Sequence, residues 1–398
     1  MAGGRRWPKV LAALGVLLVL ADQGLQHTAL ADGELLRRRV TPYDPPLFNP
    51  GQRASFERLE SFVVTGTPPA ASFRIDPDLG WAPPPGGRIS LQHYDAFGCR
   101  VGPEPLTLER REGVGRVLTL GCSFTLGEEV ADDETWVWQL DASLPDHEFA
   151  NLAMSAYGLD QALLRYRRDG RKLAADEVWL GWLPVASLRV LTVYRPAQRH
   201  WAPTPIFKPR FRLDESGELE LLPCPVTGPA DTHALLANQA AFLAAVGGLD
   251  TWVARLPSAY APSGEHLWHR SGLARLAMTY IEGRGRDHRP FLADPGRPEG
   301  KLLQAIILRL AREVAADGAH FRLFVLPSRD DSPSGRRPYL LPTVETLQAA
   351  GIEVHDLTGG FVSAGVFEDD SYWAPGGHYS AQGNSVVAGG LRHLLARD

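Results

Sequence analysis

Ser123 and His378 are the two side chains whose surroundings suit a nucleophile and its base. Ser123 lies in VLTLGCSFTLG, residues 117–127. The apolar run 117–120 reads as a buried strand, Gly121 breaks it, and the serine follows at the turn into a helix. A hydroxyl is thereby placed at the C-terminal end of a strand, the edge at which open α/β sheets bind their ligands. Backbone N–H groups left unpaired at such a turn favour anionic intermediates. A serine there can equally be a helix cap. His378 stands in GGHYSAQGN, a glycine-rich loop ahead of the last helical stretch that opens on the same edge. Acyl transfer by serine needs a nucleophile, a base and donors for the oxyanion. The chain has 12 histidines, so position must select the base. His355 falls within a strand and His393 on the final helix, which suits packing or solvation. His266 and His269 are spaced i, i+3 but have no third ligand nearby, so no metal is expected. No organic cofactor is implied either.

These side chains need a scaffold, and the pattern from 114 onward supplies one. Apolar runs at 114–120, 148–154, 178–183, 321–326 and 352–357 read as strands. Between them fall helical stretches: one after Asp132-Asp133, one capped by Asp160, one with its stripe on Leu302, Leu303, Ile306, Ile307, Leu310 and Val314, and a last one over about 381–395. Such alternation predicts a parallel sheet covered by helices. With right-handed crossovers, five strands predict an α/β fold, a flavodoxin-like three-layer α/β/α sandwich. The alternation pauses over about 185–298. This insertion contains a hairpin, FRLDESGELELL, turning at Glu215-Ser216-Gly217, and helical stretches near 231–256 and 265–281. Following strand three, it would sit over the site as a lid or substrate-binding cap, or else be a passive decoration. Residues 32–112 are rich in Pro and Gly and read as an extended lead-in packing on the main domain, 113–398.

Composition bounds the function. A chain of 398 residues with 44 % hydrophobic and 22 % charged residues can bury a sizeable core. A formal net charge of −5 argues against a general nucleic-acid binder. Cys99, Cys122 and Cys224 form no C-x-x-C, which argues against a thiolate zinc site. Arg5, Arg6 and Lys9 precede the apolar run VLAALGVLLVLA at 10–21, the layout of an export signal. The run spans about 18 Å as a helix, against about 30 Å of bilayer core. Ala29-Leu30-Ala31 matches a cleavage site; the alternative is an uncleaved anchor extended by Trp7 and Leu25. Either reading of residues 1–31 places the rest outside the cytoplasm: periplasmic, secreted, or held at a membrane by the N-terminal segment.

Several blocks in order resemble the SGNH (GDSL-type) hydrolase superfamily. They are GCSFTLGEEVADDETW, FANLAMSAYGLDQ, a strand ending GWLP, then HDL and GGHYSAQGNSVVAGGL. The resemblance covers about 114–185 and 299–396. Upstream, DLGW and HYDAFGCR are similar to the lead-in of some exported members. The resemblance implies a Ser–His pair acting on esters, with Ser123 as nucleophile and His378 as general base. It also implies oxyanion donors from the backbone N–H groups of Ser123 and Ala156. The departures are specific. Cys122 replaces the usual Asp before the serine, Ala156 the usual Gly, and Val185-Ala186 the usual Asn-Asp. Pro375 and Gly376 stand where an Asp would precede the histidine.

Asp369 or Asp370 in the same loop could orient His378 instead. Asn151 could brace the turn, and Arg189 or Arg195 could hold an anionic group, although surface pairing suits arginines there. Cys122 alternates away from Ser123 and reads as packing. Trp179, Trp182 and Trp201 would line a sugar surface or, for the first two, the core. The expected function is an exported esterase or acyltransferase acting on an ester-bearing small molecule or an O-acyl glycan. The alternative is an inactive scaffold that binds envelope glycan or a protein partner.

Overall fold

The computed structural model describes residues 7–25, 27, 34–35, 38–39, 46–66, 73–254, 271–274, 276–277, 287–331 and 337–395. Arg5, Arg6, the Ala29-Leu30-Ala31 motif, His266, His269 and most of 265–281 lie outside the described residues.

Five parallel strands form the central sheet: β1 Gly115–Gly121, β2 His147–Asn151, β3 Glu177–Trp182, β4 His320–Val325 and β5 Glu353–Asp356. Their order across the sheet is β2-β1-β3-β4-β5. This is the doubly wound order, with a switch between β1 and β3. The strands read from the apolar runs are therefore all present, displaced by a few residues at their ends.

Helices cover both faces. On one lie α1 Ser123–Leu126, α2 Trp136–Ser143, and, after β5, α6 Thr358–Ser363 and α7 Ala381–Leu395. On the other lie α3 Leu159–Arg168, α4 Pro298–Ala316 and α5 Leu341–Ala349. The first layer is the more aromatic. Val117, Phe149, Trp179 and Phe324 alternate onto one face of the sheet and pack with Trp136, Val137 and Leu140 of α2 and Val387 and Leu391 of α7. Trp179 and Trp182 are thus core residues. The stripe predicted on α4 is fully buried, including Leu303, Ile307 and Leu310.

Two paired glycines let the sheet approach the turn after β1. Gly121 lies opposite Gly181 in the β1–β3 ladder. A Cβ on either would run into Thr125 Oγ1 of α1. Close packing forbids that overlap without a shift of backbone, so the pair of glycines sets how near Ser123 comes to the sheet.

Residues cluster by contact into two units. One comprises Pro69–Leu191, Lys208–Thr227 and His288–Asp398, and holds the sheet. The other comprises Met1–Pro68, Thr192–Phe207 and Gly228–Asp287. The stretches 32–112 and 185–298 are each divided between the two. The reason is a second core. Within the smaller unit, Tyr194 packs against Phe207 and Phe242, with ring centroids 4.7 and 4.8 Å away. Buried Asp250 accepts N–H bonds from Val193, Tyr194, Trp252 and Val253 and ties those segments together. Burial raises its carboxyl pKa against those same bonds. The predicted hairpin forms as Arg210–Leu213 and Leu219–Leu222, with Gly217 at a φ of 82°, and it belongs to the sheet's unit. All three cysteines are free. Among the described residues, no helix is long and apolar enough to cross a membrane.

At the start of β5, Glu353 collects three partners: His320 Nε2 at 2.7 Å, His355 Nε2 at 2.6 Å and the Arg322 guanidinium Nε at 3.2 Å. This accounts for His355 as a structural residue. Burial works to raise the Glu353 carboxyl, but these partners outweigh it and hold the pKa at about 2, against 4.5 ordinarily. A depressed folded-state pKa lends stability that is complete above the unfolded value and is lost as pH falls through the folded one. The melting temperature of the wild type should therefore exceed that of Glu353→Gln at about pH 5, and the margin should shrink as pH falls from 4.5 toward 2. Thermal unfolding over a pH series measures it, and a pH-independent margin would contradict this account.

Candidate active site

Ser123 is the first residue of α1, straight after the Cys122 N-cap, and is 3 % exposed. The helix ends at once on Gly127, whose φ is 78°. Its N–H and that of Glu128 both donate to the Ser123 carbonyl, at 2.9 and 3.1 Å. The chain after the serine is thus wound into a tight knot. Cys122 packs into the core below it.

Residues far apart in sequence brace that knot. Arg100, from the HYDAFGCR stretch, is buried and donates to the carbonyls of Leu126, Gly127 and Val130. Its Nε pairs with Asp132 at 2.7 Å. Gln92 donates to the Glu128 carbonyl at 3.0 Å and is itself held by Tyr94. Asn151, at the end of β2, donates to the Thr125 carbonyl at 3.1 Å and accepts from Ala153 N–H. The lead-in therefore serves as a strap on the turn that carries the serine. The cost of burying the Arg100 guanidinium is met by bonds to four acceptor atoms, three loop carbonyls and an Asp132 oxygen.

Ala156 has a φ of 63°, left-handed for a residue with a Cβ. Strain of that kind persists only where the surroundings impose it. Here they do: the Ser155 carbonyl accepts from Trp81 Nε1 at 2.9 Å, Tyr157 OH donates to the Trp81 carbonyl at 2.6 Å, and Arg189 Nη1 donates to the Tyr157 carbonyl at 2.8 Å. Arg189 is thereby a buried brace of this loop, not a surface residue. Among the described residues neither the Ser123 nor the Ala156 N–H has a backbone acceptor. Val185 and Ala186 lie in the short helical segment Pro184–Leu191 and pack against the core, offering no polar group. Arg195 belongs to the smaller unit, where it is buried with Gln198 as a partner. Trp201, in that same unit, is 46 % exposed, with the Arg199 guanidinium over its ring.

His378 comes in on the loop before α7. Its ring lies 5.0 Å from that of Phe124, the neighbour of Ser123. Neither aspartate of its loop reaches it. Asp369 accepts from Ser371 N–H in its own turn, which lowers its pKa, and Asp370 is 89 % exposed and paired with Arg329. The orienting carboxylate is Glu129. Its Oε2 is 2.6 Å from His378 Nδ1 and accepts the His378 N–H at 3.2 Å, while Oε1 accepts the Gly376 N–H at 2.6 Å. Burial works to raise this carboxyl, but the bonds from the His378 ring, Gly376 and the His378 backbone outweigh it, and its pKa lies below the usual glutamate value. An ionised Glu129 fixes the proton on Nδ1 and leaves Nε2 for proton traffic.

The glycine at 376 now has a reason. A Cβ there would lie 2.7–2.8 Å from the Glu129 carboxylate atoms. Glu129 thus occupies the space a side chain at 376 would need, and nothing local in the sequence named it as the partner of His378. His378 Nε2, for its part, faces Glu128 at 3.4 Å. No hydrogen bond joins it to Ser123 among the described residues; such bonds are commonly long before substrate closes a site.

No family model matches the chain, and no curated protein matches it. Solved structures similar to it include a lipolytic protein of the G-D-S-L family from Veillonella parvula, at 12 % identity and a TM-score of 0.36, covering 72 % of this chain and 100 % of that one. A catalytic mutant of an acetylxylan esterase from Geobacillus stearothermophilus is similar at 10 % identity and a TM-score of 0.37, covering 71 % and 96 %. A putative acylhydrolase from Bacteroides fragilis is similar at 13 % identity and a TM-score of 0.36, covering 72 % and 89 %.

Proposed function

We propose that this chain is a serine esterase. The observation that carries the reading is the Glu129–His378 pair beside the Ser123 turn: a carboxylate on Nδ1 is what a histidine needs to act as base through Nε2. In the reaction, Ser123 Oγ attacks the ester carbonyl and its proton passes to His378 Nε2. The N–H groups of Ser123 and Ala156 take the oxyanion. Nε2 then protonates the leaving alcohol, and water releases the acyl group from Ser123. Ala156 suits this role because its backbone is left-handed and its N–H has no backbone acceptor among the described residues.

The substrate we favour is an O-acyl carbohydrate outside the cytoplasm. Support for the location is the basic-then-apolar N-terminus: in the helix Trp7–Gly24, the side chains of Leu11, Leu17 and Leu20 are exposed, as befits a segment made for a translocation path or a lipid surface. A second reading, a binding protein on the same scaffold, draws on Nε2 facing Glu128 rather than Ser123. A fluorophosphonate probe separates the two. Incubated with the purified chain, it should attach covalently, and peptide mass spectrometry should place the adduct on Ser123. A folded protein that takes up no label would favour the binding reading.

A further inference from the structure

Orienting His378 requires one carboxylate, and Glu129 supplies it; the second one, Glu128, sits at the atom that moves the proton. The 3.4 Å between Glu128 Oε2 and His378 Nε2 is long for a hydrogen bond. An oxygen about 2.8–3.0 Å from both would bond to each. Glu128 is well fixed for that task. Its N–H is tied to the Ser123 carbonyl at 3.1 Å and its carbonyl to Gln92 at 3.0 Å, while its side chain is 35 % exposed and open to solvent.

We propose that Glu128 holds the water that attacks the acyl-enzyme, and so sets the preference for hydrolysis over transfer to an alcohol. This rests on the serine-esterase reading. Water carries two hydrogens: one faces Nε2 and the other donates to Glu128. An alcohol carries one, and once Nε2 takes it, carbon faces the carboxylate. In the step itself, the water oxygen bonds to the acyl carbon as its proton passes to Nε2. The tetrahedral intermediate then breaks the bond from carbon to Ser123 Oγ, Nε2 returns the proton to Oγ, and the carboxylic acid leaves. Glu128 accepts a hydrogen bond throughout and is not itself protonated.

The test is the product ratio from p-nitrophenyl acetate turned over by the full chain in the presence of methanol, with acetate and methyl acetate measured by NMR. Both products come from one acyl-enzyme, so the ratio is insensitive to changes in acylation or folded fraction. Loss of one charge-assisted bond should shift it toward methyl acetate by about tenfold in Glu128→Ala. Glu128→Gln keeps a neutral acceptor and should fall between. An unchanged ratio in both, with turnover still dependent on Ser123, overturns the role of Glu128 alone. If Glu128→Ala does not fold, Glu128→Gln decides by the same ratio. Wild-type turnover that survives Ser123→Ala, or no turnover at all, overturns the esterase reading and this role with it.

Discussion

Ser123→Ala should lower kcat for p-nitrophenyl acetate by about 10⁴–10⁶, the scale on which removing a serine nucleophile acts. Fold stability should hardly change. No cap bond is lost, since the N-cap position of α1 is Cys122, which makes no side-chain cap bond, and Ser123 follows it. His378→Ala should cost about as much, and the double variant little more than either, because the two residues act as a unit. Steady-state kinetics with a thermal melt of each variant measures this. Additive losses would mean that Ser123 and His378 do not share a reaction step. Residual activity in all variants is expected from the two backbone N–H donors, which are untouched by either change.

Glu129→Gln should lower kcat by about 10²–10⁴ with little change in KM. Glutamine has one acceptor oxygen, so it can keep the Gly376 N–H bond but sets an amide NH2 where Oε2 accepts from His378. It does not keep the charge that fixes the proton on Nδ1 and stabilises the imidazolium. A merely structural role for Glu129 would appear as a lower melting temperature and not as a loss confined to kcat. The stronger form of the experiment moves the acid. Gly376 has no Cβ because Glu129 stands in its way, and its φ is not left-handed, so the backbone accepts a side chain once that space is cleared. Glu129→Ala combined with Gly376→Asp should recover part of the activity that Glu129→Ala loses, whereas Gly376→Asp alone should be harmful. No recovery in a folded double variant would show that Glu129 does more than orient the ring.

Much of the scaffold was legible because its causes are local. Apolar runs such as 117–120 have only one way to be buried on both faces, and the stripe on α4 recurs at helical spacing, so the parallel sheet and its covering layers follow from period and length. Ser123 and His378 could be singled out because glycine-marked turns at strand ends are also local. Even the buried standing of Trp179 follows from its place in a strand.

What tertiary structure decided was the pairing. Glu129 and His378 are 249 residues apart, and the two aspartates nearest the histidine in sequence are spent on a turn and an exposed arginine. Which acid wins depends on the strap that Arg100 lays across Leu126 to Val130 and on the space left by Gly376, and neither can be read from a window of the chain. Arg189 is the same case: it reads as a surface cation in sequence, yet it is buried because the Tyr157 carbonyl needs a donor in a loop held at a left-handed Ala156. Periodicity specifies which face of an element is buried. The charged partners of a site are specified by what the assembled fold leaves unsatisfied, since a buried charge or carbonyl takes whichever complementary group the packing brings within reach.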